Sequence, residues 1–153
     1  MRNLLVAQSG GPTSAINATI AGVIMEAYAS DQVDTIYGAV NGIKGVLEER
    51  FVNLSEKVPG EDELEILCQT PAAALGSCRV KLKNPAEDDS QFQEIIRIFR
   101  KHGIAYFIYA GGNDSMDTIL KLKEYQEENP QDVKLIGVPK TIDNDLMCVD
   151  HTP

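Results

Sequence analysis

Short apolar runs alternate with helix-like segments along this chain, and the alternation is the feature that most constrains its fold. The clearest run is AYFIYA at residues 105–110, and LLVA at 4–7 and LIGV at 135–138 have the same buried character. A segment of helical composition at residues 15–29 follows LLVA, and another at residues 116–128 follows AYFIYA. Strands separated by helices, without hairpin signals, predict a parallel sheet with helices on both faces. The predicted fold class is α/β, with three αβα layers and a Rossmann-like sheet.

The middle of the chain gives weaker predictions. A second strand is predicted at residues 34–40, and a turn through two glycines at residues 41–47. A helix is predicted to end near His102, because apolar side chains recur at helical spacing before it. Residues 51–75 have no clear assignment, since they mix short apolar runs with proline, glycine and acidic residues.

Composition excludes several classes of partner. The net charge of −9 and the pI near 4.6 argue against nucleic acid and anionic membranes. No apolar run is long enough to span a bilayer. The three cysteines, Cys68, Cys78 and Cys148, are odd in number, and with His102 and His151 they lack the spacing of a zinc site. These features predict a cytoplasmic protein with reduced thiols.

Three of the predicted strands end in turns rich in glycine, hydroxyl and carboxylate groups. These are GGPTS at residues 10–14, GGNDS at 111–115 and KTIDND at 140–145. Open α/β sheets bind ligands at the carboxyl ends of their strands, so neighbouring turns would converge on one crevice. A glycine turn before a helix presents N–H groups to an anion. Asp143 or Asp145 can accept a hydroxyl proton or bind a metal that bridges phosphates. The residues alone favour phosphoryl transfer or phosphosugar binding.

Each turn also has a plain structural explanation. Threonine and aspartate cap helices, and glycine pairs are common in tight strand-to-helix connections. The turn at residues 10–14 lacks the lysine of a P-loop and the third glycine of a dinucleotide fingerprint. Arg79 fits a phosphate clamp or an ordinary surface arginine. His102 at a helix end favours capping over catalysis.

Together with LGSCR at residues 75–79, the three turns resemble the phosphofructokinase family in motif and in order. PKTIDND at residues 139–145 is the most specific of these motifs, and the resemblance covers the whole chain. It implies that residues 1–153 form the donor-phosphate-binding N-terminal domain of a phosphofructokinase-like fold, incomplete because family enzymes are more than twice as long. It also implies a homo-oligomeric parent enzyme. We expect this fragment alone to have little or no activity and to expose apolar faces towards the missing part.

The resemblance assigns roles at the acceptor side. Asp143 would be the general base for the 1-hydroxyl of fructose 6-phosphate, and Asp145 would support the transition-state arrangement. Thr141 and Ile142 would bind this substrate together with Asp143.

At the donor side, the resemblance assigns the phosphoryl donor to Gly11, through its N–H group, and to Arg79, Gly112 and Ser115. The implied cofactor is Mg²⁺. Asn113 stands where many relatives carry an aspartate associated with the metal. An amide oxygen can bind Mg²⁺ without contributing charge, so we expect pyrophosphate oxygens and water to hold most of the metal.

Two further positions predict the donor. ATP-using members of the family carry glycine where this chain has Asp114 and Lys140, whereas pyrophosphate-using members carry aspartate and lysine. A carboxylate at 114 fills and charges the space that the α-phosphate of ATP needs, and Lys140 supplies a compact cation. The resemblance thus implies catalytic roles for both residues. It indicates a pyrophosphate-dependent member that converts fructose 6-phosphate to fructose 1,6-bisphosphate in glycolysis.

Other functions compete with this interpretation. One is an ATP-dependent phosphofructokinase, against which Asp114 and Lys140 argue. Another is a lipid or NAD kinase with a similar glycine turn, which leaves residues 140–145 unexplained. A third is a non-catalytic phosphate-binding module, which should tolerate Asp143→Asn.

Overall fold

The computed structural model describes residues 1–145 and 147–148. Its strands are β1 (Asn3–Gln8), β2 (Ile36–Ala39), β3 (Phe51–Asn53), β4 (Ile104–Gly111) and β5 (Lys134–Pro139). Its helices are α1 (Ile16–Ala29), α2 (Gly42–Leu47), α3 (Leu54–Lys57), α4 (Glu61–Gln69), α5 (Ser90–Lys101) and α6 (Asn113–Glu128). Across these described residues, no helix combines the length and apolarity needed to cross a membrane.

The five strands form one sheet in the order β3-β2-β1-β4-β5. β1 pairs in parallel with β2 and with β4, and β4 pairs in parallel with β5. The strands that precede the three polar turns, β1, β4 and β5, are therefore consecutive. Because parallel strands end at the same edge, the three turns meet there, as predicted.

The prediction that all strands are parallel is wrong at one edge of the sheet. β3 runs antiparallel to β2, with Ala39 opposite Phe51. The segment between these residues is too short for a parallel crossover, which needs a dozen or more residues. The predicted turn at 41–47 is also wrong, because this segment forms α2. Gly45 is needed for packing, since a Cβ there would lie 2.7 Å from the carbonyl carbon of Val40.

The sheet is covered on both faces, which confirms the three-layer architecture. Alternate residues of β1 face opposite cores: Leu5 belongs to one cluster and Leu4 to the other. The Leu5 cluster is completed by side chains from α2, α5 and α6. The Leu4 cluster is completed by side chains from α1, α3 and α4.

Edge strand β5 leaves apolar surface open, in line with the sequence expectation. Ile136 is 46% exposed. Beside it, Val138 and Ile108 line an apolar groove of about 440 Å³ against Val23 of α1. On the α6 side of β5, Gly137 lies close against Met116.

Candidate active site

The turns after β1, β4 and β5 line two adjoining cavities. The larger, of about 680 Å³, lies between residues 9–12, residues 77–80 and the first turn of α6. The smaller, of about 310 Å³, is lined by residues from the same two glycine turns and by residues 140–143. Four residues line both cavities and therefore form the wall between them: Gly11, Pro12, Gly112 and Asn113.

Next to this wall, glycine is required at two positions where the backbones of the two turns approach each other closely. Gly10 has φ +85, and a Cβ there would lie 3.3 Å from the amide nitrogen of Gly112. A Cβ on Gly111 would lie 2.8 Å from the carbonyl oxygen of Ser9. Gly11, by contrast, faces open space, with no atom within 4 Å of where its Cβ would be. The backbone at Gly11 is therefore open to a ligand, as its predicted role needs.

The N-terminus of α6 faces the larger cavity. The helix begins at Asn113, three residues earlier than predicted, with Gly112 as N-cap. Asn113, Asp114 and Ser115 thus form a first helical turn instead of an irregular loop. The N–H groups of a first turn lack intrahelical partners and carry the positive end of the helix dipole. This end of the larger cavity is suited to an anion despite the negative charge of the whole chain.

The segment carrying Arg79 is held by a buried polar network that the sequence analysis missed. The Gln8 side-chain oxygen accepts a hydrogen bond from the Leu75 N–H at 2.5 Å. Asn17 accepts from the Ala74 N–H at 2.8 Å and donates to the Thr70 carbonyl at 2.9 Å. Both amide side chains are buried, so the network fixes this segment beside β1. Arg79 lines the larger cavity, exposed and without an ion pair among the described residues.

Cys78 and Tyr109 form part of the larger cavity's lining and were not predicted as site residues. The Tyr109 hydroxyl accepts a hydrogen bond from the Ile43 N–H at 3.2 Å, and burial raises the tyrosine pKa. Burial alone would also raise the pKa of the Cys78 thiol. Hydrogen bonds from the N–H groups of Lys44 and Val80 outweigh burial, so its pKa lies below the ordinary value. The thiol of Cys78 therefore lines the cavity with a pKa below its ordinary value.

Lys140 reaches from the end of β5 to the wall between the cavities. Its ammonium donates a hydrogen bond to the Gly11 carbonyl, and its side chain lines the smaller cavity. Partial burial lowers the pKa of Lys140. The backbone is fixed by a bond from the Lys140 N–H to the Gly111 carbonyl at 2.8 Å. A cation thus lies where the two cavities meet.

Residues 141–145 form a compact hydrogen-bonded turn. The buried Thr141 hydroxyl accepts from the Asp143 N–H at 3.1 Å and donates to Asp145 Oδ1 at 3.1 Å. Asn113 Nδ2 donates to Asp145 Oδ2 at 3.1 Å. The bonds from Asn113 and then Thr141 lower the Asp145 pKa. Asp143 and Ile142 are exposed and line the smaller cavity, whereas Asp145 is exposed but does not line it.

The donor atoms here can contribute to a Mg²⁺ site but do not form one alone. Within residues 1–145 and 147–148, no group of three or more His, Cys, Asp and Glu side chains is placed to hold a metal ion. The Asp145 carboxylate and the Asn113 amide lie together, and oxygen ligands of these kinds suit Mg²⁺. Mg²⁺ is usually held by one or two carboxylates together with substrate phosphates. The chemistry therefore fits a metal that arrives with a phosphate ligand.

All the sequence-predicted site residues meet at this edge of the sheet. Six line the larger cavity: Gly11, Arg79, Gly112, Asn113, Asp114 and Ser115. Four line the smaller cavity alone: Lys140, Thr141, Ile142 and Asp143. Asp145 is linked to both groups through Asn113 and Thr141.

Glycine turns and carboxylates around two adjoining cavities, at the carboxyl ends of parallel strands, suit the binding of phosphate groups. The Phosphofructokinase family model matches residues 3–153, and the chain belongs to that family.

Several individual proteins of this family are similar to the chain over nearly its whole length. The chain is 44% identical over 151 residues to a pyrophosphate–fructose 6-phosphate 1-phosphotransferase of Xanthomonas campestris, covering 99% of this chain and 35% of the relative. It is 41% identical over 150 residues to the Rhodospirillum rubrum enzyme of the same name, covering 98% and 35%. The crystal structure of a pyrophosphate-dependent phosphofructokinase from Nitrosospira multiformis matches with a TM-score of 0.88 at 38% identity, covering 97% and 36%. The chain thus spans about a third of the length of these relatives.

Proposed function

We propose that the protein containing this chain is a pyrophosphate-dependent phosphofructokinase. It transfers a phosphoryl group from pyrophosphate to the 1-hydroxyl of fructose 6-phosphate, giving fructose 1,6-bisphosphate and phosphate, as a cytoplasmic glycolytic enzyme. The observation that carries this proposal is the pair of cavities that share one wall at Gly11 and Gly112. Each cavity takes one substrate, and the transferred group crosses the wall.

The larger cavity is assigned to pyrophosphate. Its lining includes the first turn of α6, the exposed Arg79 and the open backbone of Gly11. N–H groups and a guanidinium are the donors that bind phosphate oxygens best. Gly112 and Ser115 complete this part of the site. Asp114 in the same turn excludes ATP through its volume and charge.

The smaller cavity is assigned to the acceptor hydroxyl. In this cavity Asp143 takes the proton of the 1-hydroxyl. At the same time the hydroxyl oxygen of the sugar attacks the nearer phosphorus of pyrophosphate. The bond from that phosphorus to the bridging oxygen breaks, and inorganic phosphate leaves. The Lys140 ammonium neutralises charge on the transferred group, which is the protein's main contribution in such reactions. Thr141 and Ile142 position the sugar, and Asp145 keeps the turn in place.

Mg²⁺ is the proposed cofactor, and Asn113 and Asp145 are the side chains that would help to hold it. When bound, it supplies charge neutralisation to the phosphate oxygens. The side-chain oxygen of Asn113 would be the atom that binds the metal, because its nitrogen donates a hydrogen bond to Asp145.

An assay of fructose 1,6-bisphosphate formation tests the proposal. The full-length gene product is supplied with fructose 6-phosphate, Mg²⁺ and either pyrophosphate or ATP. We expect turnover with pyrophosphate and at least about a hundredfold less with ATP, as like-charge exclusion of a donor allows. Turnover with ATP alone would refute the donor assignment, and absence of turnover with both would refute the reaction. The 153-residue chain, assayed in parallel, should show little or no turnover.

A further inference from the structure

An ion pair lies beside the larger cavity at Asp114, which lines it. The Lys81 ammonium lies 2.8 Å from Asp114 Oδ1, and both side chains remain more than half exposed, at 64% and 59%. Lys81 follows directly on residues 77–80, which line one wall, whereas Asp114 belongs to the first turn of α6 on the opposite wall. The pair therefore connects the two walls across the rim.

The hydrogen bond and the charge of Asp114 raise the pKa of Lys81, with a smaller contribution from Asp117. Lys81 is thus a permanent cation at the rim, and its nearest anion is the carboxylate that is proposed to exclude ATP. An exposed pair of this kind adds little to stability. Its position suggests a role in ligand choice instead.

We propose that Lys81 is a third residue that determines the donor, beside Asp114 and Lys140, an inference that rests on the proposed function. Asp114 excludes a nucleoside triphosphate in two ways: it repels the polyphosphate, and it keeps the Lys81 ammonium occupied. Without the carboxylate, Lys81 becomes a free cation at the place where a longer polyphosphate extends beyond the space of pyrophosphate. Use of ATP by an Asp114 variant therefore depends on Lys81.

A double-mutant cycle on the full-length gene product tests this dependence. The variants are Asp114→Gly, Lys81→Met and the double variant, each assayed with ATP and with pyrophosphate. ATP binding is also measured by calorimetry, so that the test does not require turnover. We expect Asp114→Gly to raise kcat/KM for ATP and to tighten ATP binding at least about tenfold. Lys81→Met should cancel most of that gain and should change pyrophosphate use less than about threefold.

Matched controls separate this role from a structural one. Lys83 pairs with Asp88 at 2.6 Å two residues further on, outside both cavities. Lys83→Met in the Asp114→Gly background should leave the gain in ATP use intact. Lys81→Arg should preserve the gain, because it keeps the charge. Asp114→Ala replaces Asp114→Gly if the glycine variant fails to fold.

The outcomes are distinct. If the double variant keeps the full gain in ATP binding, the inference about Lys81 is wrong. If Asp114→Gly and Asp114→Ala bind ATP no better than wild type, the inference and the role of Asp114 both fail. Pyrophosphate turnover by the wild type then still decides the proposed reaction separately.

Discussion

Two carboxylates of this protein, Glu49 and Asp143, are used in opposite ways. Glu49 lies between α2 and β3 and has three partners from α5 and its end. Two are the cations Lys101 at 2.6 Å and Arg97 at 3.0 Å, and the third is the His102 imidazole at 2.7 Å. Asp143 lines the smaller cavity, and its carboxylate oxygens have no hydrogen-bond partner among the described residues. The contrast separates an acid that holds structure from one that is open to a substrate.

The carboxylates also differ in how strongly their partners lower their pKa values. Hydrogen bonds from Lys101, His102 and Arg97 lower the pKa of Glu49 to about 2, so its carboxylate does not accept a proton near neutrality. Asp145 is intermediate, because Asn113 and Thr141 engage both of its oxygens and lower its pKa. Asp114 has one cationic partner at the rim of the larger cavity. Of these four carboxylates, Asp143 alone has neither a hydrogen bond nor an ion pair to its side-chain oxygens from the described residues.

The largest expected effect comes from Asp143→Asn, which removes the base and keeps the shape. We expect turnover of the full-length gene product to fall by about a thousandfold, within the range for loss of a general base. Pyrophosphate binding, measured by calorimetry, should change little. Asp62→Asn on exposed α4 is the matched control and should leave turnover unchanged. Turnover of Asp143→Asn within tenfold of wild type would contradict the role of Asp143.

A smaller effect is expected at Cys78, which is both hydrogen-bonded and open to the larger cavity. Its lowered pKa gives more thiolate at neutral pH, and the thiolate is the form that is alkylated. We expect pyrophosphate with Mg²⁺ to slow alkylation of Cys78 by iodoacetamide at least about threefold, because occupancy blocks access. Exposed Cys68 is the internal control, followed by peptide mass spectrometry. Equal slowing at both thiols, or none at Cys78, would place pyrophosphate elsewhere.

Glu49→Gln should affect stability and leave catalysis unchanged. The substitution removes a charge that faces two cations, Lys101 and Arg97, and the His102 imidazole. We expect a lower urea midpoint for the chain and unchanged kcat and KM in the full-length gene product. A changed KM for pyrophosphate with an unchanged urea midpoint would contradict the purely structural role of Glu49.

The smallest effect is a pH dependence of stability. The pKa of Glu49 is about 2 in the folded chain, compared with an ordinary value of 4.5. Because the folded pKa is the lower one, the stabilisation is complete above pH 4.5 and is lost as the pH falls towards 2. Urea midpoints measured across this window should fall more steeply for wild type than for Glu49→Gln. Parallel slopes would show that the cations do not act on Glu49.

The sequence predicted the central strands well for a physical reason. Strands β1 and β4 are apolar runs bounded by polar turns, because helices cover central parallel strands on both faces. β5 has the same apolar pattern although it is an edge strand. β3 could not be predicted, since its three half-buried residues carry no pattern. α2 was mistaken for a turn because Gly42 and Gly45 indicate flexibility in sequence, while in the structure Gly45 allows close packing on Val40.

Some residues of the site could be predicted from the sequence and others could not. Residues 139–145 and 111–115 are contiguous motifs, so their chemistry could be read from the order of side chains. Lys81 could not be predicted, because its partner Asp114 is distant in sequence and the pair follows no local spacing. The Gln8–Asn17 network and the thiol of Cys78 depend on burial and on backbone N–H groups that only the fold brings together.

The most direct test is a crystal structure of the full-length gene product with Mg²⁺, pyrophosphate and fructose 6-phosphate, using Asp143→Asn to halt turnover. We predict pyrophosphate in the larger cavity, in contact with the Gly11 backbone and Arg79. The sugar 1-hydroxyl should lie within hydrogen-bond distance of residue 143 in the smaller cavity. Pyrophosphate in the smaller cavity, or a sugar hydroxyl remote from residue 143, would contradict the assignment of the two cavities and of the base.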